Sequence, residues 1–408
     1  MRWVAIAGLA VVSMSACFFE LNPVRESASS SSDSGAGGAN PMVGSSTASS
    51  SSSSSSSAGG VGGTPRATWW NDDFARRARV NLPGVTEAVS DARIPVVFPV
   101  DFPYADADAA GADLRFVDAD GTTVLAHEVE RFDPTAGTLV WVRVPEVASA
   151  SDFIWLYFGN PNAVDDAAPD QVWNGYVGVY HMAEDPAVAA SVTDSTSPSN
   201  SGAPEGFGTG ARKAGRLADA IDFTEGTSVP SILVSDDDDF SVSAADDLTV
   251  ELWFKWNAAG DGGALFTKEA CCLGYTAILL GDGRIRQSWG SGNCCQAQDK
   301  YDWAQELLPS GASDDAWHHV VFIYDRTENA EARHYLDGTL WKSNSIDPSP
   351  PNGFGDLRLG ANFNGTASFP GLIDEIRFAK RIYRAPEILL NNLTANGTGL
   401  AFEDVEAR

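Results

Sequence analysis

The sequence predicts an all-β protein in which two successive β-sandwiches follow a disordered N-terminal tether. Three observations support this fold class. Aromatic residues, including 12 Trp, make up 10% of the 408 residues, and 39 Gly are spread along the chain whereas Met occurs only 4 times. From Trp69 onward, short apolar or alternating segments recur with Gly, Pro, Asn and Asp turns between them. The length allows two or three domains, so a single small module is excluded.

The charge distribution limits the possible partners. Asp and Glu number 55 against 27 Lys and Arg, which gives a formal net charge of −28. The acidic residues are spread through the sequence, and the basic residues form no cluster. Because phosphate recognition needs clustered Lys and Arg, nucleic acid is not expected as a partner.

Residues 1–16 have the features of a signal peptide. Arg2 precedes an apolar run, Trp3–Val12, that is too short to cross a hydrocarbon core of ~30 Å. The small residues directly before Cys17 resemble the bacterial lipobox, which implies that Cys17 is lipidated and anchors the chain to the lipid bilayer. The expected location is the bacterial cell envelope, at the outer membrane or cell surface, because Phe18 stands where an inner-membrane retention signal commonly carries Asp. An ordinary secretory signal with a chance Cys is the alternative.

Residues 17–66 predict a flexible linker behind the lipidated Cys. They are rich in Ser, Gly and Ala and include nine consecutive Ser at 49–57. This composition cannot bury enough apolar surface to offset the entropy lost on ordering. A Ser/Gly coil of about 50 residues spans on the order of 40 Å, enough to hold a folded head away from a membrane.

Residues 67–165 predict the first sandwich. Turn residues separate six strand-like segments in this range: Arg77–Leu82, Ile94–Val100, Leu114–Asp118, Val124–Glu130, Leu139–Val144 and Phe153–Phe158. Four motifs follow one another here: Gly111–Asp118, His127–Glu130, Trp141–Pro145 and Ile154–Asn160. Together they resemble an uncharacterised bacterial and archaeal extracellular β-domain. That resemblance implies no catalytic residues.

Charged residues within these motifs alternate along the predicted strands. We expect them to form pairs across neighbouring strands or to face water; they are Asp113, Arg115, Glu128 and Glu130. The pair His127-Glu128 begins like a zincin helix motif. However, Arg131 occupies the place of the second His, and the segment is predicted as a strand, so a metalloprotease site is excluded.

Residues 170–408 predict the second sandwich. Eight blocks carry the pattern: Trp173–His181, Asp194–Gly202, Ala220–Phe223, Leu248–Trp256, Trp317–Asp325, Tyr335–Gly338, Leu357–Gly360 and Gly371–Phe378. In this order they resemble the laminin-G-like family of concanavalin A-like jelly rolls, which implies two packed antiparallel sheets. One helix is expected at 385–393, where Pro386 occupies the first turn and apolar residues recur four positions apart.

Enzymatic activity is not predicted, although concanavalin A-like folds carry both lectins and glucanases. Retaining glucanases on this scaffold place two carboxylates on one strand in a Glu-x-Asp-x-x-Glu pattern, which the sequence lacks. Asp374 and Glu375 are adjacent, so they are expected to point to opposite faces of a strand. His318 and His319 are likewise expected to diverge, one packed and the other solvated.

Calcium is the one cofactor that the sequence suggests, because members of the laminin-G-like family often bind it at a sandwich edge. Candidate oxygen ligands are Asp194, Asn200 and Asp374. For Asp374 the alternative is buried hydrogen bonding to backbone, and the acidic run Asp236–Asp239 is more typical of a solvated loop.

Four cysteines besides Cys17 predict disulfides in an exported chain: Cys271, Cys272, Cys294 and Cys295. The sequence between them predicts a β-hairpin. A three-residue loop centred on Gly283 pairs positions whose numbers sum to 566, so 271 faces 295 and 272 faces 294; a two-residue turn shifts this register by one. The crossed pairing, 271 with 294 and 272 with 295, stays open.

These features predict a surface-anchored lipoprotein that acts as a non-catalytic binding or adhesion module for an extracellular glycan or protein. Two alternatives come from other functional classes. One is an accessory or cryptic glycoside hydrolase, which needs a carboxylate pair across strands in a groove. The other is a purely structural envelope protein, which is favoured where no exposed aromatic platform exists.

Overall fold

The computed structural model describes residues 69–235, 238–243, 245–256, 262–270, 273–281, 283–290, 304–307, 314–346 and 355–408. The predicted signal peptide (1–16), Cys17, the linker (17–66) and the four other cysteines lie outside these ranges. Within the described part, the chain is nearly all β, as predicted. Neither of its two α-helices has the length and apolar character to cross a membrane.

Seven strands precede residue 160: β1 Arg76–Asn81, β2 Val89–Val97, β3 Arg115–Asp118, β4 Val124–Leu125, β5 His127–Arg131, β6 Leu139–Val147 and β7 Phe153–Phe158. Helix α1 (Pro169–Val172) follows, and ten further strands extend to residue 307: β8 Tyr176–Tyr180, β9 Ala203–Phe207, β10 Arg212–Ala214, β11 Asp219–Asp222, β12 Gly226–Val234, β13 Leu248–Lys255, β14 Gly262–Ala270, β15 Leu273–Leu280, β16 Arg284–Gly290 and β17 Ala304–Leu307. The remaining elements are β18 Trp317–Asp325, β19 Glu331–Leu336, β20 Thr339–Ser345, β21 Leu357–Leu359, β22 Leu372–Ala379, α2 Ala385–Ala395, β23 Ala401–Phe402 and β24 Glu406–Ala407. Two single-turn 3₁₀ helices, Tyr104–Asp106 and Asp238–Phe240, complete the set.

The first sandwich packs a six-stranded sheet against a three-stranded sheet. The larger sheet has the order β23-β1-β7-β3-β4 with β24 also on β1, and the smaller has the order β2-β6-β5. Inward-facing residues of both sheets, such as Phe116, Val142 and Leu156, form one buried core. In β1 and β7 of the larger sheet, the alternation that predicted the strands therefore reflects one face turned to this core and one turned away from it.

The second sandwich packs an eight-stranded sheet against a seven-stranded sheet. The first has the order β10-β11-β22-β13-β18-β19-β20 with β8 on β22, and the second has the order β17-β16-β15-β14-β21-β12-β9. Val320 and Phe322 of β18 point into the core between these sheets. Val321 and Ile323 of the same strand point the other way, into a cluster with Trp141 of β6. The eight-stranded sheet is thus buried on both faces, which explains the continuous apolar run of β18.

The second covered face is the interface between the two sandwiches. At this interface, Val321 and Ile323 of β18 pack in one cluster with Trp141 of the three-stranded sheet. Helix α2 contributes Ile388 to the same cluster. The prediction of a helix at 385–393 is confirmed, and Pro386 lies in its first turn.

The end of the chain departs from the predicted domain boundary. Residues 170–408 were expected to form the second sandwich, yet β23 and β24 pair with β1 of the first. Arg77 of β1 is buried and donates to Glu406 Oε2 over 2.8 Å. The second sandwich is therefore inserted, in sequence, between strands of one sheet of the first.

The predicted hairpin between the cysteine pairs is present as β15 and β16, with a different register. Leu279 pairs with Ile285, so paired numbers sum to 564 and not to 566, and the three-residue loop is 281–283. The loop is thus centred one residue before Gly283, which has a φ of 85°. The cysteines themselves lie outside the described residues, so their pairing stays a prediction.

Candidate functional site

A group of buried charged side chains lies at the interface between the two sandwiches, and we call it the interface cluster: Glu128, Glu130, His181, Asp374, Glu375 and Arg377. Glu128 and Glu130 are two positions apart on β5, so they share one face of that strand. His181 follows the last residue of β8, and the other three lie on β22. Side-chain exposure is 9% for His181, 2% for Glu130 and 0% for Glu375.

The imidazole of His181 is at the centre of the interface cluster. Its Nδ1 lies 3.0 Å from Glu375 Oε1 and 3.4 Å from Glu130 Oε2. Its Nε2 lies 3.2 Å from Glu128 Oε2. Each ring nitrogen therefore faces a carboxylate, and the ring stacks on Trp141 with centroids 5.9 Å apart.

Neutral donors fix the carboxylates of β5. Trp141 Nε1 donates to Glu130 Oε2 over 2.8 Å, and the indole of Trp173 donates to Glu128 Oε2. Ser195 Oγ donates to Glu128 Oε1 over 2.7 Å. The second oxygen of Glu130, Oε1, is buried and has no hydrogen-bond partner within the described residues.

A β-bulge on β22 places Glu375 in this cluster. Glu251 of β13 pairs with Arg377, whereas Trp253 pairs with Asp374, so β22 carries one extra residue at this point. Glu375 has a φ of 54° there, in the left-handed region. The strict alternation that predicted Asp374 and Glu375 on opposite faces is thus interrupted at these residues.

Arg377 supplies the fixed positive charge. Its Nη2 donates to Glu375 Oε2 over 2.7 Å, and its Nη1 lies 3.7 Å from Glu251 Oε2. The guanidinium lies over the ring of Trp141 at 4.2 Å from the centroid and over that of Trp173 at 5.0 Å. Aromatic walls of this kind exclude water, so the charges of the cluster interact strongly.

The pKa values diverge within this group. Burial alone would lower the pKa of His181, but the charges of Glu375, Glu128 and Glu130 raise it well above its ordinary value. Burial and then the charge of Glu375 raise the pKa of Glu130, and the same two causes raise that of Asp374. Burial would also raise the pKa of Glu375, yet His181 and Arg377 outweigh it and lower this pKa. The cluster therefore combines carboxyl groups whose pKa values are raised with one, Glu375, whose pKa is lowered by the two cations.

A second buried network adjoins the interface cluster through Glu251. His319 Nε2 lies 2.7 Å from Glu251 Oε1, and Asn391 of α2 donates to the same oxygen over 3.0 Å. His319 is fully buried and stacks on Trp253, whereas His318 turns outward to Asp337. The expected divergence of the two histidines is confirmed.

The calcium candidates lie in two different hydrogen-bond networks. Asp194 Oδ2 accepts the N–H of Asn200 over 2.8 Å, and Asp194 Oδ1 accepts the N–H of Val179 over 2.9 Å. Asp374 Oδ2 instead accepts the N–H groups of Arg216 and Leu217 over 2.7 and 3.1 Å. Backbone donors thus occupy positions that a cation would need, and the calcium assignment stays a prediction.

An exposed feature lies on the outer face of the six-stranded sheet, and we call it the aromatic–arginine stripe: Trp69, Arg77, Arg79, Phe153 and Trp155. The Arg77 guanidinium lies 4.2 Å from the ring centroid of Trp155 and 4.6 Å from that of Trp69. Arg79 lies 3.9 Å from the ring of Phe153. The three aromatic residues and Arg79 are each partly exposed, whereas Arg77 is buried beside the rings, so the stripe presents rings and the Arg79 guanidinium to solvent.

A surface groove of about 370 Å³ begins where the stripe ends, at Phe153. Its polar wall includes Asp118, Glu146 and Asp152. Asp152 accepts the N–H groups of Ala148 and Ser149; burial would raise its pKa, but these bonds and that from the Ser149 hydroxyl lower it. The volume lies within the range of ligand sites.

The sequence motifs contained two of the interface acids without revealing their role. Glu128 and Glu130 were expected to pair across neighbouring strands or to face water, but they are buried against His181, which lies outside their sheet. One sequence signal was available. Asp374, Glu375 and Arg377 interrupt the apolar residues of β22, and adjacent carboxylates in a buried strand require polar partners.

Comparison with known protein families gives two matches. Residues 228–389 match the Concanavalin A-like lectin/glucanases superfamily, and residues 110–185 match a Domain of unknown function (DUF2341). The second match includes Glu128, Glu130 and His181 and crosses the expected boundary at 165. No curated protein matches the chain.

Several solved structures resemble the fold. The binding domain of Paraclostridial Mosquitocidal Protein 1 has a TM-score of 0.42 and 17% identity over 54% of this chain and 52% of that chain. The botulinum neurotoxin type G receptor binding domain has a TM-score of 0.38 and 14% identity over 54% of this chain and 51% of that one. The botulinum neurotoxin serotype D ligand binding domain in complex with N-acetylneuraminic acid has a TM-score of 0.41 and 11% identity over 53% and 50%. The chain spans about half the length of each. The family match shows that the C-terminal part of the chain carries a concanavalin A-like jelly-roll domain.

Proposed function

We propose that the chain is a non-catalytic binding module of the bacterial cell envelope, held by a lipid at Cys17, and that its ligand is an extracellular glycan. The observation that carries the proposal is the aromatic–arginine stripe and the groove that adjoins it. Sugars bind through an aromatic ring against their C–H face and through acceptors and donors for their hydroxyl groups. Phe153 and Trp155 supply the rings, and Glu146 supplies an exposed acceptor.

Two features support binding over hydrolysis. A glycosidase needs one carboxyl group with a raised pKa and a second carboxylate, both within reach of the sugar bond. In the groove, the pKa of Asp152 is lowered and its oxygens accept hydrogen bonds from a turn. The raised pKa of Glu130 belongs to a side chain that is 2% exposed and sealed behind Trp141. Neither Asp152 nor Glu130 is thus suited to donate a proton to a sugar in the groove.

A glycan array tests the proposal directly. The chain is screened with and without Ca²⁺, beside a stripe variant, Trp155→Ala, a groove variant, Glu146→Ala, and a control, Phe363→Ala. Phe363 is 46% exposed and belongs to the other sandwich. We expect each of these two variants to weaken binding about 5- to 30-fold, because stacking and one hydrogen bond each contribute about 1–2 kcal/mol. The control should bind as the unmodified chain does.

The outcome also separates the alternatives. Unchanged binding in both Trp155→Ala and Glu146→Ala refutes the glycan assignment. The assignment is also refuted if the chain binds no glycan but binds a defined protein. Release of reducing sugar that stops on substitution of a single Asp or Glu would show a hydrolase. Loss of binding on removal of Ca²⁺ would support the calcium prediction at Asp194, Asn200 and Asp374.

A further inference from the structure

The interface cluster has the donor set of a metal site. One oxygen of Glu130, one oxygen of Glu375 and a ring nitrogen of His181 all lie within 4.8 Å of one another. Two ligands held about 2.0–2.2 Å from one metal, at tetrahedral to octahedral angles, are themselves about 2.8–3.6 Å apart. The distances from His181 Nδ1 to the two carboxylates, 3.0 and 3.4 Å, have these values.

An unpartnered oxygen points independently to a ligand at this place. Glu130 Oε1 is buried, belongs to a side chain that is 2% exposed, and has no hydrogen-bond partner within the described residues. A buried carboxylate oxygen that lacks a donor destabilises the folded state by roughly 1–3 kcal/mol or more. Asp374 Oδ1 is likewise buried and has no hydrogen-bond partner within the described residues. A cation bound to the Glu130 carboxylate would remove this penalty.

The charge balance favours a cation of more than one unit. Three buried carboxylates, those of Glu128, Glu130 and Glu375, lie within 3.4 Å of the His181 ring, and Arg377 lies 2.7 Å from Glu375. If Nδ1 of His181 ligates a metal, the ring is neutral and Arg377 is the cation that remains in contact with these carboxylates. A divalent ion would supply two positive charges to this buried acidic group.

The groups around these three residues hold them as outer-shell partners hold metal ligands. Glu128 Oε2 lies 3.2 Å from Nε2 of His181, so it can accept the Nε2–H in the tautomer whose Nδ1 would ligate a metal. Trp141 Nε1 donates to Glu130, and Arg377 donates to Glu375. Each ligand is therefore oriented by a second group, and the two sandwiches contribute to one site.

We propose that Glu130, His181 and Glu375 bind one divalent transition metal ion of the zinc class, which joins the first sandwich to the second. One imidazole nitrogen with carboxylate oxygens suits zinc, whereas calcium takes six to eight oxygens. The aromatic walls keep substrate away, so the ion is structural. This site is distinct from the calcium prediction at the loop that contains Asp194 and Asn200.

Metal content and affinity test the proposal. The full chain is produced in zinc-supplemented medium, and bound zinc is measured by elemental analysis; Zn²⁺ is then titrated into chelator-treated protein. We expect one zinc per chain, a higher melting temperature with zinc, and affinity at least 100-fold lower in Glu130→Gln and His181→Gln. Glu128→Gln, which removes an outer partner, should weaken binding 10- to 100-fold.

A matched control and a direct spectrum keep the test independent of stability. His319→Gln changes another buried histidine that also faces a carboxylate, Glu251, and it should retain one zinc per chain. If the ligand variants do not fold, X-ray absorption of the zinc-loaded unmodified chain decides: one nitrogen with oxygens at about 2.0–2.2 Å is expected. Less than 0.2 zinc per chain after zinc supplementation, or equal uptake in His181→Gln and His319→Gln, overturns the proposal.

Discussion

Lower pH should reduce the stability of the second sandwich because of one buried histidine, His334. His334 of β19 is 1% exposed, and its Nε2–H donates to the side-chain oxygen of Gln287 from the opposite sheet. Its other ring nitrogen is buried and has no partner within the described residues. Burial, together with the positive charge of Lys342, lowers the pKa of His334 to about 4 from an ordinary value near 6.5. Protonation of the folded state would create a buried donor that lacks an acceptor.

The size of the effect follows from the two pKa values. Between pH 6.5 and 4 the unfolded state binds a proton at His334 that the folded state does not, so stability falls as the pH falls. A shift of about 2.5 units corresponds to about 3 kcal/mol in full. The share lost between pH 7 and pH 5 is about 2 kcal/mol.

Chemical unfolding at the two pH values, followed by Trp fluorescence, measures the effect. The loss of unfolding free energy from pH 7 to pH 5 should be about 2 kcal/mol smaller in His334→Gln than in the unmodified chain. His318→Gln serves as the control of opposite sign. A hydrogen bond to Asp337, which outweighs burial, raises the pKa of His318, so its stabilisation is present at low pH and lost as the pH rises. Only 5 His are present, so NMR titration can also read the His334 pKa directly.

The reasoning fails on either of two results. One is an equal change in unfolding free energy for the unmodified chain and His334→Gln. The other is an NMR pKa for His334 above 6. His318→Gln should lose more stability relative to the unmodified chain at pH 5 than at pH 7, because His318 stabilises the fold when it is protonated. That result is consistent with the argument for His334, which contributes with the opposite sign.

Three further predictions concern packing, topology and the anchor. Gly360→Ala should destabilise the fold by about 2–4 kcal/mol, since φ is +72° and the new Cβ would lie 2.0 Å from Phe223; Gly397→Ala, with no atom within 4 Å, should cost only about 1–2 kcal/mol in thermal unfolding. Deletion of residues 400–408 should lower the unfolding free energy by about 2–4 kcal/mol, as β1 loses its partner strands, and an unchanged melting temperature would contradict this pairing. Cys17→Ser should release the chain from membranes on fractionation; continued membrane binding with normal processing would contradict lipidation.

Local features of the fold were predictable because local chemistry determines them. Strand Phe153–Phe158 matches its predicted bounds, since an apolar run ends at Gly159, whose φ is 83°. Helix α2 begins at Ala385 because Pro386 fits the first turn of a helix but not its interior. The register of β15 and β16 differed by two residues because three-residue loops with different centres fit the same Gly-Asp-Gly sequence.

The interface cluster was not predictable because its contacts are non-local. His181 lies 53 residues from Glu128 and 194 from Glu375, and no spacing rule connects them. The bulge at Glu375 carries a positive φ on a residue that rarely adopts it, so no glycine marks the site in the sequence. Glu130 was expected to pair across neighbouring strands or to face water, and it is buried instead against His181 of the second sandwich.

The return of the last strands to β1 has a consequence for the order of folding. Arg77 and Glu406 are 329 residues apart. Closing a loop of that length in an unfolded chain costs about 5 kcal/mol of entropy, and folding the inserted sandwich first reduces this by about 2–3 kcal/mol, because only its short connections remain flexible. The second sandwich should therefore fold before the first sheet is complete. During synthesis the edge of β1 stays unpaired until the final residues of the chain have been made. An open strand edge can pair with another molecule. The nascent protein is thus most exposed to misassembly at its first strand.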